Sequence, residues 1–391
     1  MNVIGVIFSW LMIPLCGAVA AAEPERMPQL TNVFVSGVEG YHTYRIPALL
    51  VTPKGDLLAF CEGRKNSRSD TGDIDLLVKR SVDGGRTWSR SEIVWDDGSN
   101  TCGNPCPVVD RTTGVIWLPM TWNLGQDKES EITRSTSKDT RRVFVTHSDD
   151  GGRTWAKPEE ITAQTKRPDW GWYATGPGVG IQLERGPAKG RLLIPCDYSY
   201  RTPEGATDYG SHVIYSDDHG QTWRLGGIIR PAVNECQVVE LSDGTLLNNM
   251  RNSDRSQTTR AIATSTDGGM TWSAVRHDPV LVEPICQASL LRDPTPQGPS
   301  RLLFSNPAHA EPGQRRDMTV RMSGDEGKTW PVRRVLWSGP AAYSCLAVLP
   351  DGAVACLFEA GDQHPYERIA LARISPDWLT SPETRSNDNR E

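Results

Sequence analysis

Three arginines far apart in the chain, Arg45, Arg251 and Arg315, have the right type to hold an anion together. A guanidinium fork binds a carboxylate in a planar, bidentate way that lysine cannot reproduce. Three such groups at one point would repel one another unless an anion belonged between them, so the set suits a carboxylated ligand. Asp70, Glu235 and Tyr343 are of the types that exchange protons or act as nucleophiles, and Arg64 and Glu359 complete the candidates. Because these eight residues are scattered along the sequence, any shared chemistry depends on a fold that gathers them.

The elements that could do so are set out by a repeat. SVDGGRTW at 81–88 returns as SDDGGRTW at 148–155, SDDHGQTW at 216–223, STDGGMTW at 265–272 and SGDEGKTW at 323–330, with starts 67, 68, 49 and 58 residues apart. Each copy has the composition of a closed turn. Ser and Asp oxygens can accept from nearby backbone N–H groups, Gly tolerates positive φ, and Trp supplies packing surface. A turn that satisfies its own polar groups leaves little chemistry for a ligand, so the boxes read as structure.

Between the boxes lie short apolar runs with strand composition. YRIPALLVT, GDLLAFCE and DIDLLVKR precede the first box and SRSEIVWD follows it, giving four strands. The same pattern recurs until CLAVLPDG, AVACLFE and RIALARIS, which form three strands with no box behind them. A spare strand at TNVFVS, near residue 33, can complete that last unit. The expected fold is all-β: a six-bladed β-propeller of four-stranded antiparallel blades, closed by the N-terminal strand. Residues 23–391 are expected to form this single domain.

Connectivity then sorts the residues. In an antiparallel blade the start of strand 1, the end of strand 2 and the start of strand 3 share one face, and the boxes lie on the other. Arg45, Arg64, Asp70, Glu235, Arg251, Arg315, Tyr343 and Glu359 all fall on the box-free face.

With those residues in place, the chain resembles the sialidases (exo-α-neuraminidases) over essentially its whole mature length. Tyr44-Arg45-Ile46-Pro47 is similar to the family's Arg-Ile-Pro motif, and the five boxes resemble its Asp boxes. Asn234-Glu235-Cys236-Gln237, Asn249-Met250-Arg251-Asn252, Arg315-Arg316-Asp317-Met318-Thr319 and Ala342-Tyr343-Ser344 extend the resemblance. What it implies is a retaining glycosidase with a tyrosine nucleophile, a known exception to paired-carboxylate catalysis. By that resemblance Tyr343 attacks the anomeric carbon, Glu235 takes the phenolic proton, and Asp70 serves as acid and then base. Arg45, Arg251 and Arg315 hold the carboxylate, Glu359 orients Arg45, and Arg64 reaches the ring's hydroxyl edge. No cofactor or metal is implied. The expected partners are sialylated glycoconjugates, with oligomeric state open.

Several alternatives stay open at this level. Arg316 rivals Arg315, since adjacent strand residues point to opposite faces. Glu62 competes with Glu359 as a supporting carboxylate. Residues 126–141 and 199–211 read as long polar connections shaping the pocket, with Trp122, Trp170, Trp172 and Tyr173 at its rim or packed between blades. A non-catalytic propeller that binds sialic acid or a protein, and a relative performing transfer or anhydro-sugar formation, remain the functional alternatives.

Composition bounds the rest. The 391 residues carry a net charge of −6, which argues against a general nucleic-acid binder. Residues 1–22 hold an apolar run ending in Ala20-Ala21-Ala22 and read as a signal peptide, although the segment lacks Lys and Arg. A secreted, periplasmic or cell-surface location follows, with no stable membrane span after cleavage. Cys102 and Cys106 are close enough in sequence to pair, and the seven His show no metal-ligand spacing.

Overall fold

Among the described residues of the computed structural model, runs rich in Val, Ile, Leu and Phe, bounded by Gly and Asp turns, form 25 strands and three short helices. The structure describes Met1 and residues 27–293 and 301–381. Apart from Met1, the expected signal segment at 1–22 lies outside the described residues.

The first unit consists of Thr43–Val51, Leu57–Arg64, Ile74–Ser81 and Glu92–Trp95, paired in sequence order and antiparallel. Leu57 faces Ser81 at one end of this unit and Arg64 faces Ile74 at the other, so box and candidate residues sit at opposite strand ends. Similar groups follow. One holds Ile116–Asn123 and Arg142–Ser148, one Leu192–Arg201 and Thr207–Ser216, and one Val233–Glu240 through Arg276–Val282. Two neighbouring pairs of units merge into larger sheets. Thr101–Gly103 bridges the first and second units into nine strands. The 17-residue strand Val332–Val348 ends the fifth unit and begins the sixth, so one seven-stranded sheet contains both. The spare N-terminal strand, Leu30–Val35, pairs antiparallel with Arg368–Ile374 at that sheet's edge, as the sequence predicts.

Apolar cores lie between consecutive units. Leu58 and Phe60 pack on Ile116 and Leu118; Val108 and Val145 on Leu192 and Ile194; Leu193 and Val213 on Val238 and Leu246. Val239 and Leu247 meet Leu290 and Phe304, and Leu303 and Val320 meet Leu346 and Phe358. The last unit then packs on the first, through Cys345, Leu357 and Leu371 against Leu49, Leu57 and Leu77. Each sheet is thus covered on both faces, which explains why Leu57–Arg64 is buried at all eight positions rather than alternately. Truncating the fully buried Phe60 to Ala would cost about 3–5 kcal/mol.

The boxes are self-bonded turns, as their composition predicts. Asp83 Oδ1 accepts the Arg86 and Thr87 N–H groups at 3.0 and 2.9 Å, Oδ2 accepts the Thr87 hydroxyl at 2.6 Å, and Ser81 Oγ accepts the Gly85 N–H at 2.8 Å. Gly85 has φ +88°, and a Cβ there would fall 2.2 Å from Leu371, so glycine is required for two reasons.

One expectation needs correction. Residues 199–211 are not a long connection: the strands Leu192–Arg201 and Thr207–Ser216 continue to the Arg201–Thr207 pair, because Tyr198 and Tyr200 extend the packed surface outward. Residues 126–141 do contain a connection, folded in part as the helix Glu129–Thr133. Cys102 and Cys106 are both buried and unpaired, as are the other six described cysteines.

Candidate active site

Arg45, Arg64, Asp70, Glu235, Arg251, Arg315 and Tyr343 line one cavity of about 470 Å³ at the strand ends away from the boxes. Glu359, fully buried, stands directly behind it. All eight sequence candidates are therefore brought together.

Backbone irregularities aim these side chains. Register shifts interrupt pairing between Arg45 and Ala48, Val233 and Cys236, and Ala341 and Ser344, so Arg45, Glu235 and Tyr343 each sit at or beside a bulge. Glu235 and Tyr343 lie within strands rather than ahead of them, correcting the sequence reading by a few residues. Ile46 and Ile285 both have φ +60°, a conformation that costs a β-branched residue about 1–3 kcal/mol. Each strained residue serves an arginine. The Ile46 N–H donates to Glu359 Oε1 at 3.0 Å, and the Ile285 carbonyl accepts from Arg315 Nη2 at 3.3 Å.

Charge compensation inside the cavity is specific. Glu359 accepts from Arg45 Nε at 2.9 Å and Nη2 at 3.3 Å, while its Oε2 also accepts the Tyr343 N–H at 3.0 Å. One carboxylate thus fixes both a guanidinium and the backbone of the phenol. The Tyr343 hydroxyl donates a short hydrogen bond to Glu235 Oε1, and Arg251 Nη1 donates to Glu235 Oε2 at 2.8 Å and to the phenolic oxygen at 3.4 Å. Burial, then the Glu235 carboxylate, pushes the Tyr343 phenol well above its ordinary range, against the pull of Arg251, Arg315 and Arg45. The group is neutral at physiological pH unless Glu235 removes its proton.

Asp70 is the exposed member, with 44% of its side chain accessible. Partial burial raises its pKa, but Arg64, donating at 2.7 Å, and Arg45 at 3.5 Å more than offset this and hold the carboxyl down to about 2. Arg64 is in turn fixed by Glu62 through bonds of 3.0 and 2.6 Å. Glu62 can approach because Gly103 has no Cβ; one built there would lie 2.3 Å from Glu62 Oε1. Glu62 and Glu359 thus both support the site, each behind a different arginine.

Arg315, not Arg316, reaches the cavity. Arg316 is exposed, donating to the Ser338 carbonyl at 3.2 Å and lying 3.4 Å from Asp317. Of the four aromatic candidates, Trp172 alone lines the cavity, under the Arg141 guanidinium at 3.8 Å. Trp170 is buried on Tyr198 at 3.7 Å, Tyr173 is buried against His212, and Trp122 donates to Asp97 away from the cavity. Sequence reasoning missed Arg141, Asp197, Glu129 and Tyr366. Arg141 is 1% exposed, and burial draws it down to about 10. Asp197 is also buried, and its carboxyl is pushed well up by burial and then by Glu235. The signal for Asp197 was its place on the second strand of its unit, equivalent to Glu62 and Arg251; Tyr366 sits in a turn with no such marker. Among the described residues, no group of three His, Cys, Asp or Glu side chains is gathered as metal ligands would be.

Comparison with known proteins gives consistent matches. Residues 55–356 match the family described as BNR repeat-like domain. A sialidase of Micromonospora viridifaciens is 38% identical over 379 residues, covering 93% of this chain and 56% of that protein, so the chain spans little more than half of that relative. An exo-alpha-sialidase of Aspergillus fumigatus is 31% identical over 401 residues, covering 94% of this chain and 90% of its own. The solved structure of the Hadza microbial sialidase Hz136 superimposes with a TM-score of 0.79 at 32% identity, over 90% of this chain and 69% of that one.

Proposed function

The chain belongs to the sialidase family, and from that premise we propose that it is an exo-α-sialidase. Its substrate is terminal sialic acid on glycoproteins, glycolipids or oligosaccharides, released by hydrolysis with retention at the anomeric carbon. The observation that carries this reading is the Tyr343 phenol hydrogen-bonded to Glu235 beneath three converging guanidiniums.

The sugar's carboxylate is attached to the reacting carbon, so a carboxylate nucleophile would meet like charge. A neutral phenol avoids that repulsion. Arg45, Arg251 and Arg315 receive the substrate carboxylate. Glu235 takes the Tyr343 proton as the phenolic oxygen bonds to the anomeric carbon, and the glycosidic C–O bond breaks as Asp70 protonates the departing oxygen. Asp70 then removes a proton from water, whose oxygen bonds to the anomeric carbon as the Tyr343–carbon bond breaks, and Glu235 returns its proton to the phenolic oxygen. Facing only Arg64 and Arg45, Asp70 is ionised, since they hold it down to about 2. The bound carboxylate engages Arg45 and adds negative charge beside Asp70, and both effects raise its proton affinity toward the value an acid catalyst needs.

The six units, packed each on the next and the last on the first, support closure into a six-bladed propeller spanning residues 23–391 as one domain. Residues 1–22 would direct secretion and be removed, which N-terminal sequencing of the exported protein would test.

Release of fluorophore from 4-methylumbelliferyl α-sialoside, followed beside Tyr343→Phe, tests the reaction. NMR of the first product separates the outcomes: the α-anomer supports retaining hydrolysis, an anhydro sugar supports the intramolecular alternative, and no turnover by the folded parent overturns the enzyme reading.

A further inference from the structure

Two of the three converging guanidiniums already face a carboxylate: Arg45 has Glu359 and Arg251 has Glu235. Arg315 does not. Its Nη1 donates to the Tyr366 hydroxyl at 2.9 Å and its Nη2 to the Ile285 carbonyl, both uncharged acceptors. The ring of the same Tyr366 lies 3.9 Å from Arg45 Cζ, a close cation–π contact, while Tyr343 is farther from both cations, at 4.9 Å from Arg45 and 5.6 Å from Arg315.

We propose that Tyr366 is a positioning residue that aims Arg45 and Arg315 at one anion and leaves the charge of Arg315 uncompensated, thereby setting the cavity's preference for a carboxylate over a neutral amide. The inference rests on reading the three arginines as a carboxylate clamp. A carboxylate in place of Tyr366 would fix Arg315 equally well but neutralise it and repel the incoming anion. An aliphatic residue would leave Arg315 without that acceptor and remove the cation–π contact with Arg45. Tyrosine avoids both, since its oxygen accepts without charge and its face attracts a cation.

The placement of Tyr366 is itself enforced. Its carbonyl accepts from Ser36 Oγ at 2.8 Å and its N–H donates to His364 Nδ1 at 3.2 Å. The adjoining Glu367 carboxylate gathers the N–H groups of Asp362, Gln363 and His364 at 2.8–2.9 Å, closing the turn that presents the ring.

The test compares Tyr366→Phe and Tyr366→Leu with the parent by calorimetric binding of free sialic acid and of its C1 carboxamide, alongside thermal unfolding. Tyr366→Phe keeps the ring and should weaken binding of the acid about 3–10-fold, the loss expected for one ordinary hydrogen bond. Tyr366→Leu loses both contacts and should weaken it about 10–100-fold. Carboxamide binding should change less than about twofold, and in turnover KM should rise more than kcat falls. Equal losses for acid and amide, or unchanged acid binding in Tyr366→Leu, would overturn the proposal. A parent that binds neither compound would sink the sialidase reading instead. Tyr366 is then judged from the Nε–H resonance of Arg45, which the ring should displace in parent and Tyr366→Phe but not in Tyr366→Leu; no difference among the three overturns the positioning role.

Discussion

The two ends of the strands handle carboxylates in opposite ways. At the box end, each Asp is satisfied within its own octapeptide. Asp83, Asp150, Asp218, Asp267 and Asp325 all accept a Thr N–H at 2.8–3.0 Å and the same threonine's hydroxyl. At the cavity end, Glu235 and Glu359 are satisfied by Tyr343, Arg251 and Arg45, partners brought from other parts of the chain. A local arrangement closes on itself and has nothing left for a ligand. A nonlocal one leaves forked donors pointing into open space, and there an anion can join. The same carboxylate chemistry therefore acts as a structural clasp at one end and as part of a reactive assembly at the other.

Breaking the cavity end should give the larger effects on turnover. Tyr343→Phe is expected to lower kcat about 10³-fold or more with the melting temperature changed by no more than a few degrees. Steady-state kinetics beside calorimetry checks both; a near-normal rate would remove Tyr343 from the reaction. Next comes Asp70→Ala, expected to cost about 10²–10⁴ in kcat with a sugar leaving group and far less with 4-methylumbelliferone, which departs without protonation. Because Asp70 must carry a proton in the complex, parental kcat for the sugar substrate should fall as pH rises, and that alkaline fall should vanish in the variant.

At the box end the expected effect moves to stability. Asp83→Ala should lower the melting temperature by about 2–8 °C while kcat/KM of the folded protein stays within about twofold. Lost activity at unchanged melting would erase the distinction between the two ends. The smallest effect is one of pH. The Thr87 hydroxyl and N–H hold Asp83 down to about 2 in the fold, and Thr329 does the same for Asp325. A depressed folded-state pKa contributes stability fully above the unfolded value, near about 4, and loses it as pH falls toward about 2. The drop in melting temperature between pH 6 and pH 3 should accordingly be shallower in Asp83→Asn than in the parent.

This contrast also explains what could be read from sequence. The boxes were legible because their whole hydrogen-bond network lies within eight consecutive residues. The cavity residues were legible through connectivity, which assigns Arg64 and Arg251 to strand ends without any distance being known. Legibility failed where side-chain packing within a unit decides. Trp170 and Tyr173 carry the same rim-like pattern as Trp172, yet stacking on Tyr198 and His212 takes them into the interior. Arg315 and Arg316 could not be separated by strand alternation, because their strand's pairing is irregular at that end. Tyr366 escaped because its position comes from the Glu367 turn rather than from a strand pattern.

The pairing of Leu30–Val35 with Arg368–Ile374 also has a meaning in time. A chain emerging from its N-terminus produces this strand first and its partner almost last, so its edge stays unpaired while every intervening unit is made. The contacts between first and last units, Leu49 and Leu77 with Leu357 and Leu371, wait equally long. Closing such distant contacts is slow, and the open chain meanwhile exposes apolar edges. Assembly should therefore end in a late step that docks Leu30–Val35 and the last unit against the first.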